Sequence, residues 1–118
     1  MLKVENLSVQ IKNINILDSV SFKVGKFSSI IGRNGAGKTT LIRAIMSILP
    51  AQKGNISFNN NFLTDTKPYN MTKMGIGYMP EDRRLIPDLT VEDNILVPLW
   101  SLKNYNQNDE LERILTFI

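Results

Sequence analysis

Residues 30–40 read IIGRNGAGKTT, and they place three of the chain's seven glycines within six positions. The apolar stretch FSSII at 27–31 leads into this run, and residues with helical periodicity follow it. Glycine adopts positive φ at low cost and lets another group approach the backbone closely. A loop that wraps a ligand therefore favours glycine at Gly32, Gly35 and Gly37, whereas a plain tight turn between strand and helix is the alternative.

The spacing of Gly32, Gly37, Lys38 and Thr39 matches the pattern of a phosphate-binding loop. Backbone N–H groups at a helix N-terminus form a receptor for a triphosphate, aided by the helix dipole. Lys38 adds a point charge for the β and γ phosphates, the Thr39 hydroxyl is placed to bind Mg²⁺, and Thr40 can reach a phosphate oxygen. The predicted nucleotide-binding residues are Gly32, Arg33, Asn34, Gly35, Ala36, Gly37, Lys38, Thr39 and Thr40.

Alternation of apolar and polar residues predicts two half-buried strands near the N-terminus, at 7–11 and 20–24. Asn13 and Asn15 lie between them and predict a turn, hence an antiparallel pair. Three further strands are predicted: a buried strand at 27–31, a strand at 53–58 that a turn at 59–61 follows, and a short buried strand at 75–80.

Helical periodicity begins at Lys38 and continues to Leu49, and Pro50 is expected to end this helix. A short helix is predicted after Pro68. Thr90 is the predicted N-cap of a further helix, which Pro98 ends or kinks, with Glu92 and Asp93 in its first turn.

A last helix is predicted from about Asp109, with Leu111, Ile114, Leu115 and Ile118 on one face. The alternation of strands and helices, with an antiparallel edge at the N-terminus, predicts an α/β fold.

The composition excludes several classes of function. The chain contains no cysteine and no histidine, which removes disulfides, thiolate metal sites and imidazole catalysis. Its net charge of +3 comes from scattered basic residues, so no nucleic-acid partner is expected. No segment has the apolar length of a signal peptide or a membrane span, which predicts a cytoplasmic chain.

Four segments together resemble the ATP-binding subunit of ABC transporters: LDSVSFKVG, GRNGAGKTTL, GNISF and GIGYMPEDRRLIPDLTVEDNI. The likeness runs from about residue 2 to the end and corresponds to the first half of such a subunit. The last segment looks most like the branched-chain amino-acid importer type, although sugar and nucleoside importers share part of it.

The resemblance implies a P-loop NTPase fold with ATP and Mg²⁺ as cofactors. Residues 1–82 would form the β-subdomain and phosphate-loop core, and residues 83–118 the start of the helical subdomain. The partners that the resemblance implies are transmembrane permease subunits and a second nucleotide-binding subunit. The implied location is the cytoplasm, peripheral on the inner face of the cell membrane.

Two site residues are implied by the resemblance alone. Glu81 falls where most of the family has a glutamine that touches Mg²⁺ and the attacking water. The catalytic candidates are therefore Lys38 and Glu81, and the candidate metal ligands are Thr39 and Glu81. The alternative is an exposed acid paired with Arg83 or Arg84. Ile11 stands where the family places an aromatic residue that stacks on adenine, and Tyr69 and Tyr78 are interpreted as packing residues.

Four residues are candidates for the surface that faces the permease, and three apolar residues are expected to pack beneath them. The four candidates are Pro80, Arg83, Arg84 and Trp100, and the three packed residues are Leu85, Ile86 and Leu89.

The second half of the family's subunit carries the signature loop, the Walker B aspartate, the glutamate that orients water and a switch histidine. This chain has no histidine and no adjacent glycine pair. These residues alone are therefore expected to contact nucleotide without turnover. The chain is interpreted as a fragment or a truncated product. The alternatives are an ATPase of a non-transport ABC protein, such as a translation factor or DNA-repair protein, and a non-catalytic nucleotide-binding fragment.

Overall fold

The computed structural model describes residues 1–82, 84–101 and 106–117. The chain divides into two compact units, Met1–Pro68 and Tyr69–Ile118. The first contains the strands β1 (Leu2–Ile11), β2 (Ile14–Val24), β3 (Lys53–Phe58) and β4 (Asn61–Phe62) and the helix α1 (Lys38–Ile45). The remaining elements are the 3-10 turns Pro68–Asn70, Thr72–Met74 and Val97–Ser101 and the helices α2 (Val91–Leu96) and α3 (Gln107–Leu115).

The four strands form one antiparallel sheet in the order β2-β1-β3-β4. Two tight turns connect its hairpins. Lys12 and Asn13 have φ of 49° and 64°, and Asn59 and Asn60 have φ of 48° and 66°. Two successive residues with positive φ are typical of the hairpin turn whose twist matches that of the strands, and asparagine tolerates this conformation. The predicted N-terminal hairpin, the strand at 53–58 and the turn after it are confirmed.

The strand β1 is irregular on both of its edges. Asn6 and Ser19 both have positive φ, at 49° and 50°, and the register with β2 shifts between Val4 and Val9. Hydroxyl groups replace the ladder bonds there: the Asn6 N–H donates to Ser21 Oγ at 2.8 Å, and the Ser19 N–H donates to Ser8 Oγ at 3.0 Å. Bulges of this kind bend and twist a sheet without leaving buried donors unpaired.

Gly54 lies opposite the bulge on the other side of β1. Its φ is 89°, and a Cβ atom at this position would clash with the carbonyl oxygens of Glu5 and Asn6. Only glycine combines this conformation with so close an approach of two backbones. Gly54 therefore allows β3 to pair with the bent part of β1.

The buried apolar residues of the N-terminal unit come from the sheet, from α1 and from the segment after β4, and α1 lies against β2. They are Val4, Leu7, Val9, Leu17, Leu41, Ala44, Ile45, Met46, Ile56 and Leu63. The helix thus covers part of one face of the sheet with an apolar stripe, as its periodicity predicts.

The helix α1 ends earlier than predicted, at Ile45 rather than near Leu49. Ser47 has φ of 52°, and the N–H groups of Ser47 and Ile48 donate to the carbonyl oxygens of Ala44 and Arg43. This pair of bonds is a Schellman motif, in which a left-handed residue satisfies the last carbonyls of a helix. The Ser47 hydroxyl also donates to the Leu63 carbonyl oxygen at 2.7 Å. The helix α1 therefore ends before Pro50.

The predictions of buried strands at 27–31 and 75–80 are wrong for this structure. Neither segment is paired, and Phe27 and Ile31 are 97% and 93% exposed. An apolar run forms a buried strand only when neighbouring strands accept its hydrogen bonds on both sides. Within the described residues, no strand lies beside either segment, so each takes an unpaired conformation.

In the C-terminal unit, α2 begins where predicted. The Thr90 Oγ1 accepts from the Asp93 N–H at 3.1 Å, which is the bond expected of an N-cap. The helix ends at Leu96, and Pro98 lies in the 3-10 turn that follows.

The short helix predicted after Pro68 is confirmed as the 3-10 turn there. The helix α3 begins at Gln107, slightly before the predicted Asp109, because the Asn106 side chain caps it by accepting from the Asn108 N–H at 3.1 Å. Ile118 lies outside the described residues. None of the helices described has both the length and the apolar character needed to cross a lipid bilayer.

Candidate nucleotide-binding site

The loop before α1 is built around one tight turn. The Ala36 N–H donates to the Arg33 carbonyl oxygen at 3.2 Å, and Gly35 at the third position of this turn has φ of 82°. Gly37, which precedes the helix, has φ of 94°. The expectation that glycine supplies positive φ holds for Gly35 and Gly37. It fails for Gly32, whose φ is not positive and whose added Cβ would make only ordinary contact with the Ala36 side chain.

Gly37 has a second role that the loop pattern does not indicate. A Cβ atom there would lie 2.9 Å from Leu17 Cδ2 and 3.3 Å from the Ile16 carbonyl oxygen. The end of the loop is therefore pressed against β2, which forms its rigid support. No signal in the sequence indicates this contact, because it depends on how α1 is placed against β2.

The N-terminus of α1 has no side-chain cap, in contrast to the caps that Thr90 and Asn106 provide for α2 and α3. Its first backbone bond is donated by the Leu41 N–H to the Gly37 carbonyl oxygen at 2.8 Å. Within the described residues, nothing accepts from the N–H groups of residues 38–40. An anion is a suitable partner for such donors, because the helix dipole adds a partial positive charge there.

The Lys38 ammonium group closes the loop. Its Nζ donates to the carbonyl oxygens of Gly32 at 2.6 Å and Arg33 at 2.7 Å. These bonds fold the side chain back over the loop, and the side chain is half-buried there. The Lys38 ammonium group, the predicted cation of the site, therefore lies against the backbone of the loop that begins at Gly32.

Thr39 and Thr40 lie in the first turn of α1, and Thr39 is exposed whereas Thr40 is half-buried. Neither hydroxyl group bonds to another described residue, so both are available to a ligand. Among the described residues, no cluster of three acidic, histidine or cysteine side chains could hold a metal. Mg²⁺ often keeps waters and takes phosphate oxygens beside one or two protein ligands, so a single threonine hydroxyl fits its chemistry.

Ile11 lies at the end of β1 and pairs with Ile14 across the hairpin turn. Its side chain is 38% exposed, so apolar surface is available at this position. The strand β2, which supports Gly37 through Ile16 and Leu17, begins at Ile14. The hairpin and the loop are therefore connected through β2, whereas contact of Ile11 with a base stays a prediction.

Glu81 belongs to the other compact unit, where it is exposed in a bend. The alternative of an ion pair between Glu81 and Arg84 is not observed, and Arg84 Nε instead contacts Asp82 Oδ2 at 2.9 Å. Arg83 lies outside the described residues. The catalytic and metal-binding roles of Glu81 stay predictions.

The prediction that Tyr69, Tyr78, Leu85, Ile86 and Leu89 are packing residues is largely wrong. Tyr69 and Leu85 are 71% and 72% exposed, whereas Tyr78 is half-buried. Leu85, Ile86 and Leu89 line an open groove of about 380 Å³, together with Pro87, Val91, Asn94 and Ile95. Leu89 alone of the three is half-buried. The loop 86–90 is instead held by hydrogen bonds between the Asn94 side chain and the backbone of Ile86 and Leu89.

The sequence pattern of the family described as ABC transporter matches residues 17–118. The probable branched-chain amino acid transport ATP-binding protein LivF of Archaeoglobus fulgidus is 29% identical over 117 residues, which are 98% of this chain and 50% of that protein. The ribose import ATP-binding protein RbsA of Lactococcus lactis is 39% identical over 98 residues, or 80% of this chain and 19% of that protein. The chain thus spans half or less of the length of these relatives.

Solved structures agree with this assignment. The ATP-binding cassette MJ1267 of an ABC transporter superposes with a TM-score of 0.74 at 31% identity, covering 96% of this chain and 50% of the other. The dimeric ABC transporter cassette MJ0796 superposes with a TM-score of 0.81 at 25% identity, covering 96% of this chain and 53% of the other. With its phosphate loop, its antiparallel sheet and these likenesses, the chain belongs to the ABC transporter family as an ATP-binding cassette of the P-loop NTPase fold.

Proposed function

We propose that this chain supplies the phosphate-binding part of an importer's ATP-binding subunit, with MgATP held by residues 32–40. In the complete protein, hydrolysis of ATP would be coupled to uptake of a small solute. One observation carries the proposal. The N-terminus of α1 presents backbone donors without a capping side chain, directly behind a loop that holds the Lys38 ammonium.

The chain's own groups suggest how binding would proceed. The N–H groups of Lys38, Thr39 and Thr40 donate to phosphate oxygens in this proposal, because no described residue accepts from them. The Lys38 ammonium exchanges two carbonyl oxygens for the β and γ phosphates, which carry more negative charge. The Thr39 hydroxyl supplies one oxygen ligand to Mg²⁺, whose chemistry is to neutralise the charge of the phosphates. Glu81 is the proposed second protein ligand.

The partners and solute are inferred from the relatives. We infer that permease subunits and a second ATP-binding subunit complete the transporter on the cytoplasmic face of the membrane. The dimeric cassette MJ0796 supports pairing of two such domains. A branched-chain amino acid is the proposed solute class, which the match to LivF across 98% of the chain supports. The match to RbsA makes a sugar the competing class.

Replacement of Lys38 tests the binding site directly. In Lys38→Ala the affinity for a non-hydrolysable ATP analogue with Mg²⁺ should fall about tenfold or more, because a hydrogen bond to a charged group is lost. Isothermal titration calorimetry of the purified chain measures this change. Lys53→Ala is the matched control, because Lys53 is an exposed lysine on β3 of the same unit.

Both variants should retain the circular dichroism spectrum of the original chain, since neither side chain belongs to the core. Equal affinities of the original chain and Lys38→Ala, with both folded, would show that the loop does not bind phosphate through this lysine. Loss of affinity in Lys53→Ala as well would indicate a nonspecific charge effect.

A further inference from the structure

We propose that Asn34 is a site of spontaneous deamidation, and that this reaction places a carboxylate in the phosphate loop and weakens nucleotide binding. The functional consequence rests on the proposed function, whereas the chemical reaction does not. The chain contains a single Asn-Gly pair, Asn34–Gly35, although it contains many other asparagines. This pair occupies the two central positions of the turn that the Ala36 N–H closes on the Arg33 carbonyl oxygen.

The surroundings of the pair leave both reacting groups accessible. Asn34 and Gly35 are exposed, and no described residue bonds to the Asn34 side-chain amide or to the Gly35 N–H. A Cβ atom added to Gly35 would meet no atom within 4 Å apart from its chain neighbours, so other parts of the chain do not crowd this residue. Glycine also samples a wide range of backbone angles, which the ring-closing geometry needs.

The reaction needs only water. The Gly35 backbone nitrogen loses its proton to solvent and attacks the Asn34 Cγ, the Cγ–NH₂ bond breaks, and the leaving group takes up a proton as ammonia. The product is a five-membered succinimide. Water then adds to one of its two carbonyl carbons. Cleavage of the new N–Cγ bond yields aspartate, whereas cleavage of the original peptide bond yields isoaspartate, whose backbone runs through Cβ and Cγ.

Either product is unfavourable for a loop that binds phosphate. The new carboxylate belongs to residue 34, three residues before Gly37, which precedes α1, so it adds a negative charge to the loop and repels a triphosphate bound there. Isoaspartate also lengthens the backbone within the turn, which displaces the N–H groups of Gly35 and Ala36. Bound nucleotide should slow the reaction, because a phosphate that accepts from the Gly35 N–H holds the attacking nitrogen away from Cγ.

The chain contains internal controls for this reaction. Asn13 and Asn60 are exposed asparagines in tight turns with φ of 64° and 66°. Their following residues are Ile14 and Asn61, whose side chains hinder approach of the backbone nitrogen to Cγ. If exposure in a tight turn alone set the rate, all three asparagines would react alike.

The first experiment measures the modification itself. The purified full chain is incubated at neutral and mildly alkaline pH, digested, and analysed by mass spectrometry for aspartate and isoaspartate at each asparagine. Asn34 should convert at least about tenfold faster than Asn13 and Asn60, and faster at the higher pH, because the attacking nitrogen must lose a proton. A non-hydrolysable ATP analogue with Mg²⁺ should slow conversion at Asn34 alone. Equal rates at the three asparagines would overturn the proposed site.

The second experiment measures the consequence. Affinity for the same analogue should decline in the incubated chain in proportion to the modified fraction, and it should not decline with time in Asn34→Gln, whose longer side chain disfavours the ring closure. Fresh Asn34→Asp should bind about tenfold more weakly than fresh Asn34→Gln. Undiminished affinity in a fully modified chain would refute the consequence. If the fresh original chain does not bind the analogue, the proposed function fails, while the mass measurement still decides the modification site.

Discussion

The two compact units of this chain are ordered by different interactions. In the unit Met1–Pro68, long strands bring buried apolar residues from distant parts of the sequence together, and Leu7 and Ile56 are at most 1% exposed. In the unit Tyr69–Ile118, Met71 and Leu96 are the fully buried large side chains among the residues described there. The comparison shows that burial organises the first unit, whereas local hydrogen bonds organise much of the second.

Asn94 is the clearest case of such local order. Its side-chain amide donates to the carbonyl oxygens of Thr90 at 2.9 Å, Ile86 at 3.1 Å and Leu89 at 3.2 Å, and its Oδ1 accepts from the Ile86 N–H at 2.8 Å. One side chain thus replaces the backbone partners that a loop otherwise lacks. The loop 86–90 takes a defined conformation while Ile86 and Leu85 stay exposed.

The largest effect is expected from the core of the sheet. Leu7→Ala should lower the free energy of unfolding by about 3 kcal/mol, because it removes buried methyl groups and leaves a cavity in β1. Urea denaturation followed by circular dichroism measures the change. Ile14→Ala is the control on the same sheet, and its cost should stay below about 0.5 kcal/mol because Ile14 is mostly exposed. Similar costs for the two variants would contradict the view that burial stabilises this unit.

A smaller loss is expected where two backbones approach. Gly54→Ala should cost about 2 kcal/mol, because alanine is strained at φ of 89° and its Cβ meets the carbonyl oxygens of Glu5 and Asn6. Hydrogen exchange should become faster at the β1–β3 pairing and less so at the β1–β2 pairing. Gly25→Ala provides the comparison, since a Cβ there meets nothing within 4 Å. An unchanged stability of Gly54→Ala would show that the bulge of β1 adapts freely.

The smallest effect on stability is expected in the second unit. Asn94→Ala should cost about 1 kcal/mol, and hydrogen exchange should accelerate at Ile86 and Leu89 while β1 is unaffected. Asn108→Ala is a suitable control, because Asn108 is an exposed asparagine near the start of α3 and gains the same helix propensity. A destabilisation as large as that of Leu7→Ala would mean that the second unit is also ordered by burial.

The sequence predicts most reliably the features whose signals are local. Asn13, Asn59 and Asn60 adopt the positive φ that tight turns need, and Thr90 caps α2 through its own hydroxyl. Strand segments are predicted less evenly, since those at 7–11, 20–24 and 53–58 form strands and those at 27–31 and 75–80 do not. The run at 27–31 has the composition of a buried strand, yet it lacks a neighbouring strand among the described residues. Composition shows that a segment can pair, whereas pairing requires a partner elsewhere.

The phosphate loop likewise has features that the sequence predicts and one that it does not. Its position, its glycines and Lys38 follow from the spacing of residues 32–40, because each of those residue types has a chemical role within a few residues of the others. The contact of Gly37 with Leu17 could not be predicted, since it depends on how α1 is placed against β2.

The sequence by itself determined the two hairpin turns and the Thr90 cap of α2, and it predicts the chemistry of the loop, because these depend on φ preferences and side-chain groups within a few residues. Tertiary structure alone decided which apolar runs are buried, that the Ser47 hydroxyl after α1 reaches the Leu63 carbonyl oxygen, and that Gly37 lies against Leu17 of β2. The physical reason is that burial and hydrogen bonding require a second group, and its position is set by the packing of the whole unit.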